Sequence, residues 1–328
     1  MAKRISISEL KEGILSGNIM HLSRAITLVE STVAKHKQMA AELMDSILPY
    51  IGKSIRVGIT GVPGVGKSTF IEAFGVHILN QGHRLAVLAI DPSSNISKGS
   101  ILGDKTRMEQ LSVHPNAYIR PSASAGSLGG LTYKTREAML LCEAAGYDVV
   151  IVETVGVGQS ETAVSQITDF FLLLMLAGAG DELQGIKRGI MEMADGMVIT
   201  KADGDNVTKA KNARSEYARA LHFFPPHPSG WIPQVKTASS YNNEGMEALW
   251  QMRLQYQAHT LSQGYWIEKR NQQNLFAFDK LLNDELLLLI KERLNDVTLE
   301  NLKKAILNSE LSPYSGVKQL LDSLFSTS

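Results

Sequence analysis

GITGVPGVGKSTF, residues Gly58–Phe70, separates Gly61 from Gly66, Lys67 and Ser68 by four residues. That spacing suits a phosphate group. Glycines at 61, 64 and 66 let the backbone curl with no side chain in the way. Successive amides then face inward at the positive end of a helix dipole. In this reading Gly61, Val62, Pro63, Gly64, Val65, Gly66, Lys67, Ser68 and Thr69 line a nucleotide. Lys67 reaches the β- and γ-phosphates, and the Ser68 hydroxyl sits on Mg2+. The motif requires a strand before it and a helix after it. The apolar run SIRVGIT precedes it, and the helical pattern STFIEAFGVHIL follows. A plain glycine-rich turn would explain the glycines but not the full motif in that context.

The elements that must position this loop are visible as a pattern. Seven apolar runs read as strands: SIRVGIT, RLAVLAID, AYIRP, YDVVIVET, DFFLLLMLA, DGMVITKAD and QVKTAS. Helical patterns separate most of them. The fold class is therefore α/β, a P-loop NTPase with a mostly parallel sheet flanked by helices. This domain is expected over residues 51–258. Residues 1–50 read as an N-terminal helical extension, with Ser8 as a cap of its first helix. Residues 259–328 read as a C-terminal helical arm without strands. There Leu281, Leu282, Leu286, Leu287, Leu288, Leu289 and Ile290 cover more than one helical stripe. A surface helix needs only one buried face. The second face packs either on a helix of the same chain or on another subunit.

In a sheet of this kind ligands lie beyond the carboxyl ends of the strands. Asp91 ends the second run, where a carboxylate holds Mg2+ or orders a water. The polar segment after it, DPSSNISKGSILGDKTRM, suits a nucleotide sensor. Glu153 ends another run and begins ETVGVGQSE, where Gly156 lets a backbone amide approach a γ-phosphate. GAGDELQGIKRGIMEMAD follows the run FFLLLMLA, as a second sensor, a partner surface or a capped helix start. Lys201-Ala202-Asp203 follows GMVIT. Guanine presents an N1–H and a 2-amino group side by side, and one carboxylate can accept from both, whereas adenine has no such pair. Asp203 is the candidate for that role, with the Lys201 stem over the base. Threonine stands where an asparagine is commoner. Ala238, Ser239 and Ser240, in KTASS, would touch the guanine oxygen through their backbone.

Composition narrows the rest. The 328 residues include 33 Lys+Arg and 33 Asp+Glu, so no net charge argues for nucleic acid or membrane. The lone Cys142 cannot form an internal disulfide and reads as a buried small hydrophobe on a helix. The N-terminus lacks the apolar core of a signal peptide. FFLLLMLAGAG is about half a membrane span and reads as a buried strand. A cytoplasmic protein is expected. Scattered histidines and the absence of a Cys-x-x-Cys argue against structural zinc.

Taken together, GVPGVGKST, DPSS, KGSILGDKTRM, ETVGVGQSE, GAGDELQGIKRGI and TKAD resemble the G-protein chaperones of methylmalonyl-CoA mutase. That family includes the bacterial MeaB and ArgK proteins and the human methylmalonic aciduria type A protein. The likeness spans about residues 20–300. It lies in the same superclass of P-loop GTPases (the SIMIBI class) as the nickel-insertion and signal-recognition GTPases. Val62 stands where the minD-like ATPases have a second lysine. The resemblance implies a GTPase that hydrolyses GTP to GDP and phosphate and docks on an adenosylcobalamin-dependent mutase. It would gate cofactor loading and protect or rescue the mutase. It implies Ser68, Asp91, Asp104 and Glu153 as magnesium-linked residues, and Lys67 and Gly156 as γ-phosphate contacts. It also implies Lys187, in the third switch, as a coupling residue, and the C-terminal arm as the homodimerising element. Low intrinsic turnover is expected, because ETVGVGQSE offers no evident side-chain base or arginine finger. Some relatives carry the label of an ATP-dependent kinase of a periplasmic arginine/ornithine transport system, the alternative reading. The kinase catalytic-loop aspartate pattern is not seen.

Overall fold

The computed structural model describes residues 5–91, 108–123, 128–154, 160–178, 188–293 and 296–325. All seven expected strands form. They are β1 (Ile55–Gly61), β2 (Leu85–Asp91), β3 (Ala117–Ala123), β4 (Val149–Thr154), β5 (Phe170–Met175), β6 (Gly196–Ile199) and β7 (Gln234–Thr237). They make one sheet in the order β3-β2-β4-β1-β5-β6-β7. Every pairing is parallel. β1, β4, β5 and β6 are buried nearly throughout, which is why they read as continuous apolar runs rather than as an alternation. Phe170–Met175 is thus a sheet strand, and among the described residues no helix is long and apolar enough to cross a membrane.

Helices cover both faces, and successive strand residues feed opposite ones. On one face Val57, Ile59, Ile151, Leu172 and Leu174 pack against Phe70, Phe74 and Ile78 of α4 (Lys67–Asn80). Leu249, Trp250 and Tyr256 of a later helix, Met246–Ser262, complete that layer. On the other face Ala86, Leu88, Val150, Val152 and Phe171 meet the helix Leu128–Ala144 and three N-terminal helices. These three are α1 (Ile7–Leu15), α2 (Ile19–Glu30) and α3 (Ala34–Ile47), which contribute Leu10, Ile14, Leu22, Ile26, Leu43 and Ile47. Cys142 is fully buried in this layer, and burial pushes its thiol pKa up. The cap of α1 differs from the expected Ser8. Ser6 is the cap: its hydroxyl accepts from the Glu9 amide at 3.2 Å, and the Glu9 carboxylate accepts from the Ser6 amide at 2.8 Å. This reciprocal pair satisfies two orphan donors, whereas Ser8 lies within the helix and bonds to Glu12.

The starts of the strands are tied by carboxylates. Asp148, Asp169 and Asp195 accept from the backbone amides of Arg84, Arg56 and Phe171 at 2.7, 3.0 and 2.9 Å. Each aspartate thereby fixes the start of a neighbouring strand. Asp169 also takes two bonds from Arg270, at 2.8 and 2.7 Å, in a bidentate pair.

The chain divides into two compact units, Met1–Gln273 and Asn274–Ser328. The second holds the end of the helix Tyr265–Arg293 and the helices Asp296–Leu307 and Pro313–Phe325. Packing within that unit leaves Leu282, Leu286, Leu287, Leu288 and Leu289 exposed. Breaking a buried ion pair by removing one partner typically costs about 3–5 kcal/mol. Asp169→Ala should therefore lower unfolding stability by about that amount, read as a reduced denaturant midpoint.

Candidate nucleotide-binding site

The GKS loop closes the gap between β1 and α4. Gly61 is the last residue of β1, and a Cβ there would stand 2.7 Å from the Leu174 carbonyl oxygen, so only glycine fits. Gly66 opens α4 with φ 85°, a left-handed conformation that costs glycine nothing. The helix has no side-chain cap, which leaves its first amides available to an anion. Within the loop, the Val65 amide donates to the Val62 carbonyl at 3.2 Å. Pro63, Gly64 and Thr69 are exposed, and Val65 is buried against the core.

Lys67 and Ser68 begin α4. The Lys67 ammonium donates to the Gly61 carbonyl at 3.1 Å, folding back over its own loop. Burial lowers its pKa, while the charges of Glu153 and Glu161 act in the opposite direction. The Ser68 hydroxyl donates to the Glu153 carboxylate at 3.3 Å. Glu153 sits near the end of β4, level with Ile59 of β1 and Ala89 of β2, and is 6% exposed. Asp91 ends β2 in register with Ala123 of β3. Hydroxyl and carboxylate oxygens converging beside a phosphate loop are the hard donor set that suits Mg2+. Asp104, Gly156 and Lys187, and the side chain of Asp91, lie outside the described residues. Glu161, which the sequence reading did not single out, is a buried carboxylate on the helix Ser160–Ser165 and contributes to the field at Lys67.

The second half of the site lies after β6 and β7. Thr200 follows β6, and its hydroxyl lies 3.0 Å from the Val65 carbonyl and 3.3 Å from that of Met175. The threonine that replaces asparagine thus ties this loop to the phosphate loop. Lys201 has φ 54°, a costly conformation for a non-glycine residue. Three interactions hold that neighbourhood. The Lys201 ammonium donates to the Gly64 carbonyl at 2.9 Å, and the Asn206 side-chain amide donates to the Lys201 carbonyl at 2.7 Å. The Ala202 amide donates to the Ala238 carbonyl at 3.1 Å.

Asp203 is met from the loop after β7. The Ser239 hydroxyl donates to its Oδ2 at 2.5 Å and accepts from the Asn242 amide at 3.1 Å. Sequence reasoning assigned only a backbone contact to Ala238, Ser239 and Ser240, and missed this side-chain role. The parallel pairing of β6 with β7 puts Ile199 level with Thr237 and so brings residues 203 and 239 together. The structure therefore assembles Gly61–Thr69, Glu153, Lys201, Asp203 and Ala238–Ser240 at one end of the sheet.

This fold and this loop define a P-loop nucleotide-binding protein of the GTPase type. The sequence profile of the family described as methylmalonyl-CoA mutase-associated GTPase MeaB matches residues 22–295, and the chain belongs to that family. It is 44% identical to GTPase ArgK of Escherichia coli K12, covering 98% of this chain and 97% of that protein. It is 46% identical to the mitochondrial methylmalonic aciduria type A homolog of Mus musculus, over 86% of this chain and 70% of that one. A crystal structure of an LAO/AO transport system kinase superposes with a TM-score of 0.78, at 38% identity, over 99% of both chains.

Thr200→Val keeps the shape but leaves the Val65 carbonyl without its hydroxyl donor. The expected cost is about 1–3 kcal/mol, seen as a lower denaturant midpoint at unchanged slope.

Proposed function

We propose that the protein binds GTP with Mg2+, hydrolyses it to GDP and phosphate, and serves as a chaperone of an adenosylcobalamin-dependent methylmalonyl-CoA mutase. The observation that carries the nucleotide half is the orientation of Asp203 by Ser239 at 2.5 Å, within a loop bonded directly to the phosphate loop. A carboxylate held in this way favours a base with two adjacent donors, as guanine has and adenine lacks.

In this reading the loop amides and the start of α4 bind the phosphates, and Lys67 turns from the Gly61 carbonyl to the β,γ-bridge region. Ser68, Asp91, Asp104 and Glu153 would hold Mg2+, which when bound neutralises charge on the phosphate oxygens. Glu153 would also orient water at the γ-phosphate, and Gly156 is proposed as a backbone contact to that phosphate. Lys187 transmits the nucleotide state to the client. The mutase as client is supported by the family description and by the relative tied by name to methylmalonic aciduria. The exposed leucines of the C-terminal unit support a homodimer formed through that arm. An ATP-dependent transport kinase is the second reading, favoured by the description of the solved relative.

Asp203→Asn should lower GTP affinity by about 100-fold or more and raise affinity for XTP, since asparagine can donate to the 2-oxo group of xanthine. Fluorescence titration of the two nucleotides and ATP reads this directly. ATP bound as tightly as GTP by the wild type would reject the base assignment. Lys67→Ala should abolish turnover. Capture of the mutase in a nucleotide-dependent manner, with GDP against a non-hydrolysable GTP analogue, tests the client.

A further inference from the structure

The strand starts carry a cavity of about 370 Å3. It opens between the end of α1, the turn Leu48–Tyr50 and the loop that leads into β4. Ser54, just before β1, and Asp148, just before β4, both line it. The phosphate loop starts at the far end of β1, about 20 Å away at the usual rise along a seven-residue strand. The two places are separate, and a cavity of this size suits a small organic molecule.

Its walls are fixed by the protein's own bonds. Glu143 accepts from the Gly52 amide at 2.7 Å and from the Arg56 side chain at 2.6 Å. Arg270 donates to the Ser54 carbonyl at 2.6 Å. Asp148 accepts from the Arg84 amide at 2.7 Å and lies 2.6 Å from the His83 ring. Every oxygen of the two lining carboxylates thus has a partner. What stays open is donor capacity. Lys53 lines the cavity and makes no ion pair or hydrogen bond among the described residues. Ser54 is 4% exposed, and its Oγ is buried without a hydrogen-bond partner among the described residues. A buried hydroxyl left unmet is costly, and the cavity beside it has room for the missing acceptor. Lys11, 5.5 Å over the Tyr50 ring, places a second ammonium beside a lining side chain. Leu15, Pro49, Ala144 and the rings of Tyr50 and Tyr147 supply apolar wall.

We infer that this cavity binds a small carboxylate with an apolar body. Lys53 pairs with the carboxylate, the Ser54 hydroxyl donates to one of its oxygens, and the body lies against Leu15 and the Tyr50 ring. An amine would meet carboxylates whose oxygens already have partners. Inorganic phosphate would gain nothing from the apolar wall and would find few donors for its charge. The site does not depend on the nucleotide assignment, and its ligand is bound by different elements.

The test is a ligand-observed NMR titration of the full chain with 3-phenylpropionate and octanoate, set against 3-phenylpropionamide, 3-phenylpropylamine and inorganic phosphate. At least one carboxylate should bind with a Kd of about 1 mM or tighter, and the three others at least about 10-fold more weakly. Lys53→Ala should weaken the carboxylate about 10-fold or more, and Ser54→Ala about 5-fold. Thermal midpoints should hold in both variants, because Lys53 is exposed and the Ser54 hydroxyl has no bond to lose. Saturating GDP should leave the carboxylate bound. Failure of both carboxylates to bind the folded wild type overturns the inference, as does equal binding by Lys53→Ala, by the amide or by the amine. Phosphate bound as tightly as the carboxylate removes the role of the apolar wall, and displacement by GDP moves the ligand to the phosphate loop; either result also overturns it.

Discussion

The Thr200 hydroxyl, 3.0 Å from the Val65 carbonyl, joins the two halves of the site, and the rest of the arrangement depends on that join. The phosphate loop and the loop proposed to read the base come from different strands. They act on one ligand only if their separation is fixed. Thr200 fixes it from the end of β6, and the Lys201 ammonium repeats the connection at the Gly64 carbonyl. Lys201 takes a left-handed conformation to do so, a strain of order 1–3 kcal/mol that its neighbours must hold. Asparagine is not needed for the task. A single hydroxyl at the strand end reaches both flanking carbonyls, and the β-branched threonine suits a strand terminus.

The two ends of the sheet are built differently. At the strand starts, Asp148, Asp169 and Asp195 are each bonded to backbone amides, with Arg270 and Lys269 supplying counter-charge to Asp169 and Asp195 and the His83 ring hydrogen-bonded to Asp148. Asp169 and Asp195 are buried, whereas Asp148 is half exposed; buried charges contribute little net stability, but each one is costly to misplace. They specify register. At the strand ends the polar groups bond mainly to one another and to loop carbonyls, leaving the helix amides of α4 for a ligand.

Much of this was readable from residues alone, for physical reasons. Parallel strands buried on both faces print as unbroken apolar runs, which made β1, β4, β5 and β6 visible, while the half-buried β7 was visible only from its place in the β-then-α alternation. The phosphate loop was visible because its glycines, lysine and serine are fixed by local backbone geometry. What escaped was non-local. Ser239 meets Asp203 across 36 positions, and Glu72 meets Gln110 across 38. Neither pair has a spacing rule, since the sheet order and not the chain sets their distance. The first helix was misread by two residues because Ser6 and Ser8 are both plausible caps. Only the pairing of Ser6 with Glu9 at the third helical position decides between them.

Lys67 shows how the frame prepares for an anion. Its ammonium is partly withdrawn from water, and burial is the leading cause of its lowered pKa. The charges of Glu153 and Glu161 offset part of that cost. The ammonium donates to the Gly61 carbonyl, a neutral acceptor at the loop's own base. A cation held by a neutral acceptor in a half-buried place gains from a nearby phosphate far more than an exposed lysine would, because the local dielectric is lower. The same carboxylates would repel a bare phosphate, and a divalent cation held by Ser68 and Glu153, as proposed, would remove that repulsion. On the proposed reading, lysine, carboxylate and hydroxyl would together suit a nucleotide with its metal better than either alone.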